Sequence, residues 1–206
     1  VKVEKCEIRN LVNTSTSSTN DLAGIVINST FTNLTTTISE NILHDFTSSS
    51  TGTQVVYGLW TNGAAGVGPF NISRNRIFKI TGASTGSGST RGMLLASSAS
   101  GVINCNNNLI YQLNNPACTG APGIRGIELN SAVTVNLYYN TVYLDATSTL
   151  TTTSFQTACL YMASSTSTIL DSRNNIFVNK STTAPTGTAT RAVAFYKTTA
   201  TIGTQI

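Results

Sequence analysis

Eight carboxylates and one histidine are all that this chain offers for acid–base or metal chemistry: Glu4, Glu7, Asp21, Glu40, Asp45, Glu128, Asp145, Asp171 and His44. Cleaving a glycosidic bond takes two carboxylates that face each other, and holding calcium takes several. Glu40 and Asp45, with His44 between them, are the one trio whose composition suits general acid–base work. Four cysteines, Cys6, Cys105, Cys118 and Cys159, show neither CxxC nor Cys/His spacing, so no zinc site is expected. Cys6, Cys105 and Cys159 fall in strand-like runs and read as buried thiols. Cys118, in the turn-rich "NNPACTGAPG", is the one placed to form a disulfide, and any pairing stays open. No metal, cofactor or catalytic residue is assigned.

Binding chemistry has better candidates. Trp60 and Tyr161 occupy equivalent outward places in a repeat, as do Arg91, Arg125 and Arg191 in the column before it. Aromatic faces can stack on sugar rings, and guanidinium groups can pair with acidic glycans. The alternative is a merely solvated ridge.

The element that positions these residues is a repeat. The pattern Asn-x-Ile/Leu/Val-aromatic begins at Asn41, Asn75, Asn108, Asn140 and Asn174, in steps of 34, 33, 32 and 34 residues, with a degenerate copy at Cys6. A small residue followed by apolar alternation begins at Gly24, Gly58, Gly92, Gly126, Cys159 and Ala192. A looser apolar pair precedes each Asn, for example Phe70 with Ile72 and Ile169 with Asp171. These segments are short, rich in Ile, Val, Phe, Tyr and Thr, and alternate with period two, so they are strands.

Three short strands per repeat plus a Ser/Thr/Gly-rich loop predict an all-β fold. It is a right-handed parallel β-helix of about six coils of 32–35 residues, one domain over residues 1–206. Asn at each bend tolerates left-handed backbone angles, and its amide can bond the equivalent Asn one coil away. Asn41, Asn75, Asn108, Asn140 and Asn174 are therefore the expected ladder, with Ile176 inward and Phe177 outward. The outward column of strand three would then read His44, Phe78, Tyr111, Tyr143, Phe177, and that of strand one Val26, Trp60, Leu94, Glu128, Tyr161, Ala194. In this register no two carboxylates are adjacent: Glu40 lies between Lys5 and Arg74, Asp45 beside Lys79, and Asp145 between Leu113 and Asn179.

The repeat pattern "GIxL…I..N.I" resembles that of the pectate-lyase-like parallel β-helix superfamily over nearly the whole chain. More narrowly, "YYNTVYLDATS" and "LDSRNNIFVNKST" are similar to repeats of large secreted Bacteroidota surface proteins, which often carry a type IX sorting tail. That resemblance implies export. It does not imply one activity, because the superfamily holds lyases, hydrolases, adhesins and tailspikes.

Charged residues make up only 10% of the chain, with Ser, Thr and Asn in their place, a composition commoner outside cells. The net charge of +4 is spread without a Lys/Arg run, which argues against nucleic acid, and no apolar stretch reaches the length of a membrane span. The opening "VKVEKCEIRN" reads as a mature or excised segment, and the last strand phase, near Ala192 to Ile206, leads into the first. The expectation is a non-enzymatic structural or adhesive module at an extracellular or cell surface, stacking on itself head to tail. The alternative is a carbohydrate-binding or polysaccharide-degrading protein whose partner is a surface glycan.

Overall fold

Short alternating segments cannot bury an apolar face alone, so they must stack on their counterparts one repeat away. The computed structural model describes residues 1–15, 20–29, 34–63, 68–97, 101–130, 134–151, 154–163, 169–182 and 190–198. Over these the chain is an all-β solenoid of three parallel sheets, with three strands per coil. The first sheet stacks Leu22–Ser29, Val55–Gly63, Ser89–Ser97, Ile124–Leu129, Gln156–Met162 and Arg191–Lys197. The second stacks Lys2–Glu4, Thr36–Ser39, Phe70–Ser73, Val102–Asn106, Thr134–Tyr138 and Ile169–Arg173. The third stacks Glu7–Arg9, Ile42–Ser48, Arg76–Thr81, Leu109–Asn114, Thr141–Leu144 and Ile176–Asn179, with Val12–Asn13 added beside Ile42–Ser48. No helix of the described residues is long and apolar enough to cross a membrane.

Columns of like residues fill the interior. Leu59, Met93 and Ile127 come from the first sheet, Ile38, Ile72 and Leu137 from the second, and Leu43, Ile77, Ile110 and Val142 from the third, all fully buried. The bend between the second and third sheets is where sequence and geometry meet most tightly. Asn41 donates its backbone N–H and its Nδ2 to Asn75 Oδ1 at 3.1 and 2.9 Å, and Asn75 does the same to Asn108. Asn108 repeats the pair of bonds to Asn140. Each second Nδ2 proton goes to a main-chain carbonyl, such as Ile38 O from Asn75. A fully buried amide is thereby satisfied on both sides, which removes the cost of leaving it unpaired.

The fifth rung is Asn175, not Asn174. Asn140 N and Nδ2 donate to Asn175 Oδ1 at 2.8 and 3.0 Å, a step of 35 residues. Asn174 instead takes the corner at φ 54°, in the column of Lys5, Glu40, Arg74, Asn107 and Tyr139, all with positive φ. The slip of one residue exchanges the two faces of the strand that follows. Phe177 is in register with Val142 and packs against the core, while Ile176 is 58% exposed. Leu170, not Ile169, follows Val135.

A second slip lies in the last coil. Leu160 pairs with Phe195 and Ala158 with Val193, so Ala194 rather than Ala192 stands in the glycine column. The run "AVAFY" presents small and apolar residues in either register, so its spelling does not choose between them. Residues 199–206, the end of the expected stacking phase, lie outside the described residues.

The Ser/Thr/Gly loops after the third sheet also stack coil on coil, with Thr85 N donating to Thr51 O, Thr119 N to Gly86 O and Thr149 N to Pro116 O. Gln54, Ser84, Asn115, Cys118 and Phe155 are buried beneath them, and Cys118 and Phe155 join the main apolar core. The ring column His44–Phe78–Tyr111 stays half-buried, with centroids 4.8 and 4.9 Å apart. All four cysteines are free thiols; Cys6 is exposed, and burial pushes Cys105, Cys118 and Cys159 up to about 12. On the outside of the second sheet, Asn71, Asn104 and Asn136 form a shallower amide ladder, with bonds of 2.9 and 2.8 Å.

The corrected register makes a measurable distinction. Asn175→Ala should lower stability in urea unfolding by about 2 kcal/mol, because Asn140's donors lose their acceptor. Asn174→Gly, which keeps the corner angle, should change it by less than about 0.5 kcal/mol. Equal effects would contradict the ladder assignment.

Candidate ligand-binding face

The glycine column of the first sheet sets the geometry of its outer face. A Cβ on Gly58 would lie 2.5 Å from Ile77 Cγ2 and 2.6 Å from Gly92 O. Only glycine fits so close an approach, and the ladder skips the position, pairing Tyr57 with Arg91 and Leu59 with Met93. Across this bulge both Val56 and Leu59 point inward and are buried, so residues three apart share the outer side. That is why Tyr57 and Trp60 rings stack at 5.2 Å, and why Arg125 and Glu128 of one strand pair at 2.8 Å.

Neighbouring coils join these pairs into one continuous series. Arg91, in register with both Tyr57 and Arg125, reaches Glu128 at 3.0 Å and lies over the Tyr57 ring at 5.2 Å. The Arg125 guanidinium lies 4.3 Å from the Tyr161 ring centroid, and Tyr161 stacks on Tyr196 at 5.6 Å. Arg125 Nε also donates to Pro122 O, and Arg91 Nε to Ser89 Oγ. The order is Trp60, Tyr57, Arg91, Glu128, Arg125, Tyr161, Tyr196.

Four of the five expected binding residues are thus brought together: Trp60, Tyr161, Arg91 and Arg125. Arg191 does not extend the arginine column, since it pairs with Gln156 and Val193 follows Ala158. It reaches the series by another path, donating to Tyr196 Oη at 3.2 Å and lying over that ring at 5.4 Å. Tyr196, not Ala194, follows Tyr161 in the outward column.

Most of the face is buried. Glu128 is 1% exposed and Tyr161 7%, while Trp60 is half-buried and Arg191 exposed. Burial pulls the Arg91 guanidinium below its ordinary value and pushes the Tyr57 and Tyr161 phenols up. Glu128 pairs with both guanidinium groups, and Asp21, which accepts from Val55 N at 2.7 Å, lies close enough to act on Arg91 and Tyr57. Such a face can attract an anionic or polyhydroxylated group at its Trp60 and Arg191 ends. Spacing places Tyr57 in the column of Arg91 and Arg125, but its stacking on Trp60 and the role of Glu128 follow only from the glycine bulge that brings positions i and i+3 together.

The trio around His44 assembles differently from expectation. Glu40 turns to Arg74 at 2.7 Å, and Glu7 of the preceding coil takes its place. His44 bonds Glu7 Oε1 at 3.0 Å through Nε2 and Asp45 Oδ2 at 2.5 Å through Nδ1, while Lys79 lies 3.7 Å from Asp45. Glu7 could have been found as the diagonal neighbour on the same strand face, since Arg9 is the residue opposite His44. The imidazole hydrogen bonds hold both carboxyls below the ordinary carboxylate range. Among the described residues, no group of three His, Cys, Asp or Glu side chains is placed to hold a metal ion.

Two outcomes follow. Glu128→Ala leaves two buried guanidinium groups without their carboxylate and should cost about 3–5 kcal/mol in urea unfolding, whereas Glu4→Ala at the surface should cost under about 1 kcal/mol. Because Glu7 and Asp45 have depressed folded-state pKa values, their contribution to stability is present at neutral pH and is lost as pH falls through those values. NMR titration should place the Asp45 carboxyl below the ordinary 3.8, and His44→Ala should return it towards that value.

Comparison with protein-family models, curated proteins and solved structures finds no match to this chain.

Proposed function

We propose that this chain is a non-enzymatic β-solenoid module of an extracellular or cell surface, structural or adhesive, that extends by stacking on further coils through its ends. The observation that carries this reading is the register of the three sheets, in which each described coil presents the same apolar columns to the coil beside it. Phe195 stands in the core column of Leu59, Met93 and Ile127 yet is 46% exposed, while Leu160 beneath it is 2% exposed. At the opposite end Val3 and Ile8 are less buried than their fully covered partners Ile38 and Leu43. A parallel edge with apolar residues in core columns accepts another coil of the same kind, and a contact between unlike ends repeats without closing.

The low charge and the Ser/Thr/Asn-rich exterior support an extracellular setting, as does the resemblance to the pectate-lyase-like superfamily and to secreted Bacteroidota repeats. A second reading, binding of a surface glycan on the outer face of the first sheet, is favoured by the series from Trp60 to Tyr196 and by Arg191 at its end.

Negative-stain electron microscopy tests the first reading. One chain of six coils makes a rod about 30 Å long. Rods that lengthen with concentration, and fail to do so in Phe195→Glu, are expected. Short rods of one length at every concentration would contradict stacking.

A further inference from the structure

The third sheet splits between its fourth and fifth coils. Leu109–Asn114 pairs with Arg76–Thr81 through to Asn114, but with Thr141–Leu144 only as far as Tyr111 opposite Tyr143. The cause is a change in residue count. Asp45, Lys79 and Gln112 each occupy an extra position with φ between 53° and 58°, which seats Phe46, Ile80 and Leu113 in the core. The next coil omits that position: Leu144, two residues after Val142, is buried directly and pairs with Asn179. Asp145 is therefore not held between Leu113 and Asn179 as its spacing suggested; it diverges from the fourth coil.

The divergence opens a groove of about 460 Å³. Its polar lining is Lys79, Thr81, Gln112, Asn114, Asp145 and Thr147, while Leu113 and Ala146 at its base are themselves buried. Asn114 Oδ1 is buried and accepts no hydrogen bond, and neither amide atom of the adjacent, fully buried Asn115 has a partner. Buried polar atoms without partners are uncommon in a folded chain, and these lie at the end of the strand where the two coils part.

The geometry points to this groove as a binding site for a neutral polyhydroxylated ligand about the size of one or two pyranose rings. The lining excludes the other classes by its own chemistry. An anion would meet Asp145, and its one cationic partner, Lys79, is already 3.7 Å from Asp45. A metal cation would find one carboxylate and an ammonium group. An apolar ligand would strand the amides and hydroxyls. Hydroxyl groups both donate and accept, so vicinal hydroxyls match a lining that mixes an ammonium, a carboxylate, amides and threonines. The volume lies within the ordinary range for small-ligand sites. This site is separate from the Trp60–Tyr196 face and does not depend on stacking.

Titrating the ¹⁵N-labelled chain with a panel of neutral mono- and disaccharides tests the assignment. Saturable shifts confined to amides of residues 79–81, 112–114 and 145–147 are expected. Asp145→Ala and Gln112→Ala should each weaken the binding about tenfold, the effect of one lost hydrogen bond to a ligand. Trp60→Ala should leave it unchanged. Three results would overturn the proposal: no saturable shift with any sugar of the panel, a response indifferent to Asp145→Ala, or shifts centred on Trp60.

Discussion

The buried amide ladder between the second and third sheets is the constraint on which the rest of the molecule depends. An asparagine with no access to water must place two N–H protons and one oxygen, and the next coil's asparagine supplies the oxygen. The residue before it must turn with positive φ, as Glu40, Arg74, Asn107, Tyr139 and Asn174 do. Together these two requirements hold each coil in register with its neighbour. Once register is held, like residues fall into columns, and the apolar columns become a continuous core.

Stacking also decides which side chains can meet. Side chains one coil apart in sequence become neighbours, so Arg91 reaches Glu128, and Glu7 joins His44. The glycine bulge adds a second rule by bringing residues three apart onto one side of a strand. The charged cluster on the first sheet is then enclosed instead of solvated, and its structural cost must be met by the three groups satisfying one another. Where the residue count per coil changes, as between Gln112 and Leu144, the columns part and a groove appears.

Much of this was legible in the residues. The repeat length, the three strands per coil, the core columns and the first four ladder asparagines follow from period-two alternation and recurring Asn and Gly. What failed was local register. "SRNNIFVNKS" offers two asparagines in succession, and only the geometry of the corner decides that Asn174 turns and Asn175 bonds. "RAVAFYK" carries small apolar residues at alternate positions, so a slip of two is invisible in the string, and with it went the placement of Arg191. The series on the first sheet was half legible: its arginines and Trp60 stood out by column, but the role of Glu128 and the stacking of Tyr57 on Trp60 depend on the bulge. Sequence reveals periodicity well because periodicity is global. A one-residue insertion leaves the period nearly intact and changes every side-chain direction after it.

A buried ladder that holds three sheets in register makes the outside of the solenoid a fixed array of side chains. The outer face with Trp60 and Arg191 and the split beside Asp145 are parts of that array. Both rest on the ladder being a cooperative, water-excluded element. Hydrogen exchange of the asparagine side-chain amides measures this most directly. The Nδ2 protons of Asn75, Asn108 and Asn140 should exchange as slowly as core backbone amides, while those of Asn174 exchange at once. Rapid exchange at all four would contradict the account.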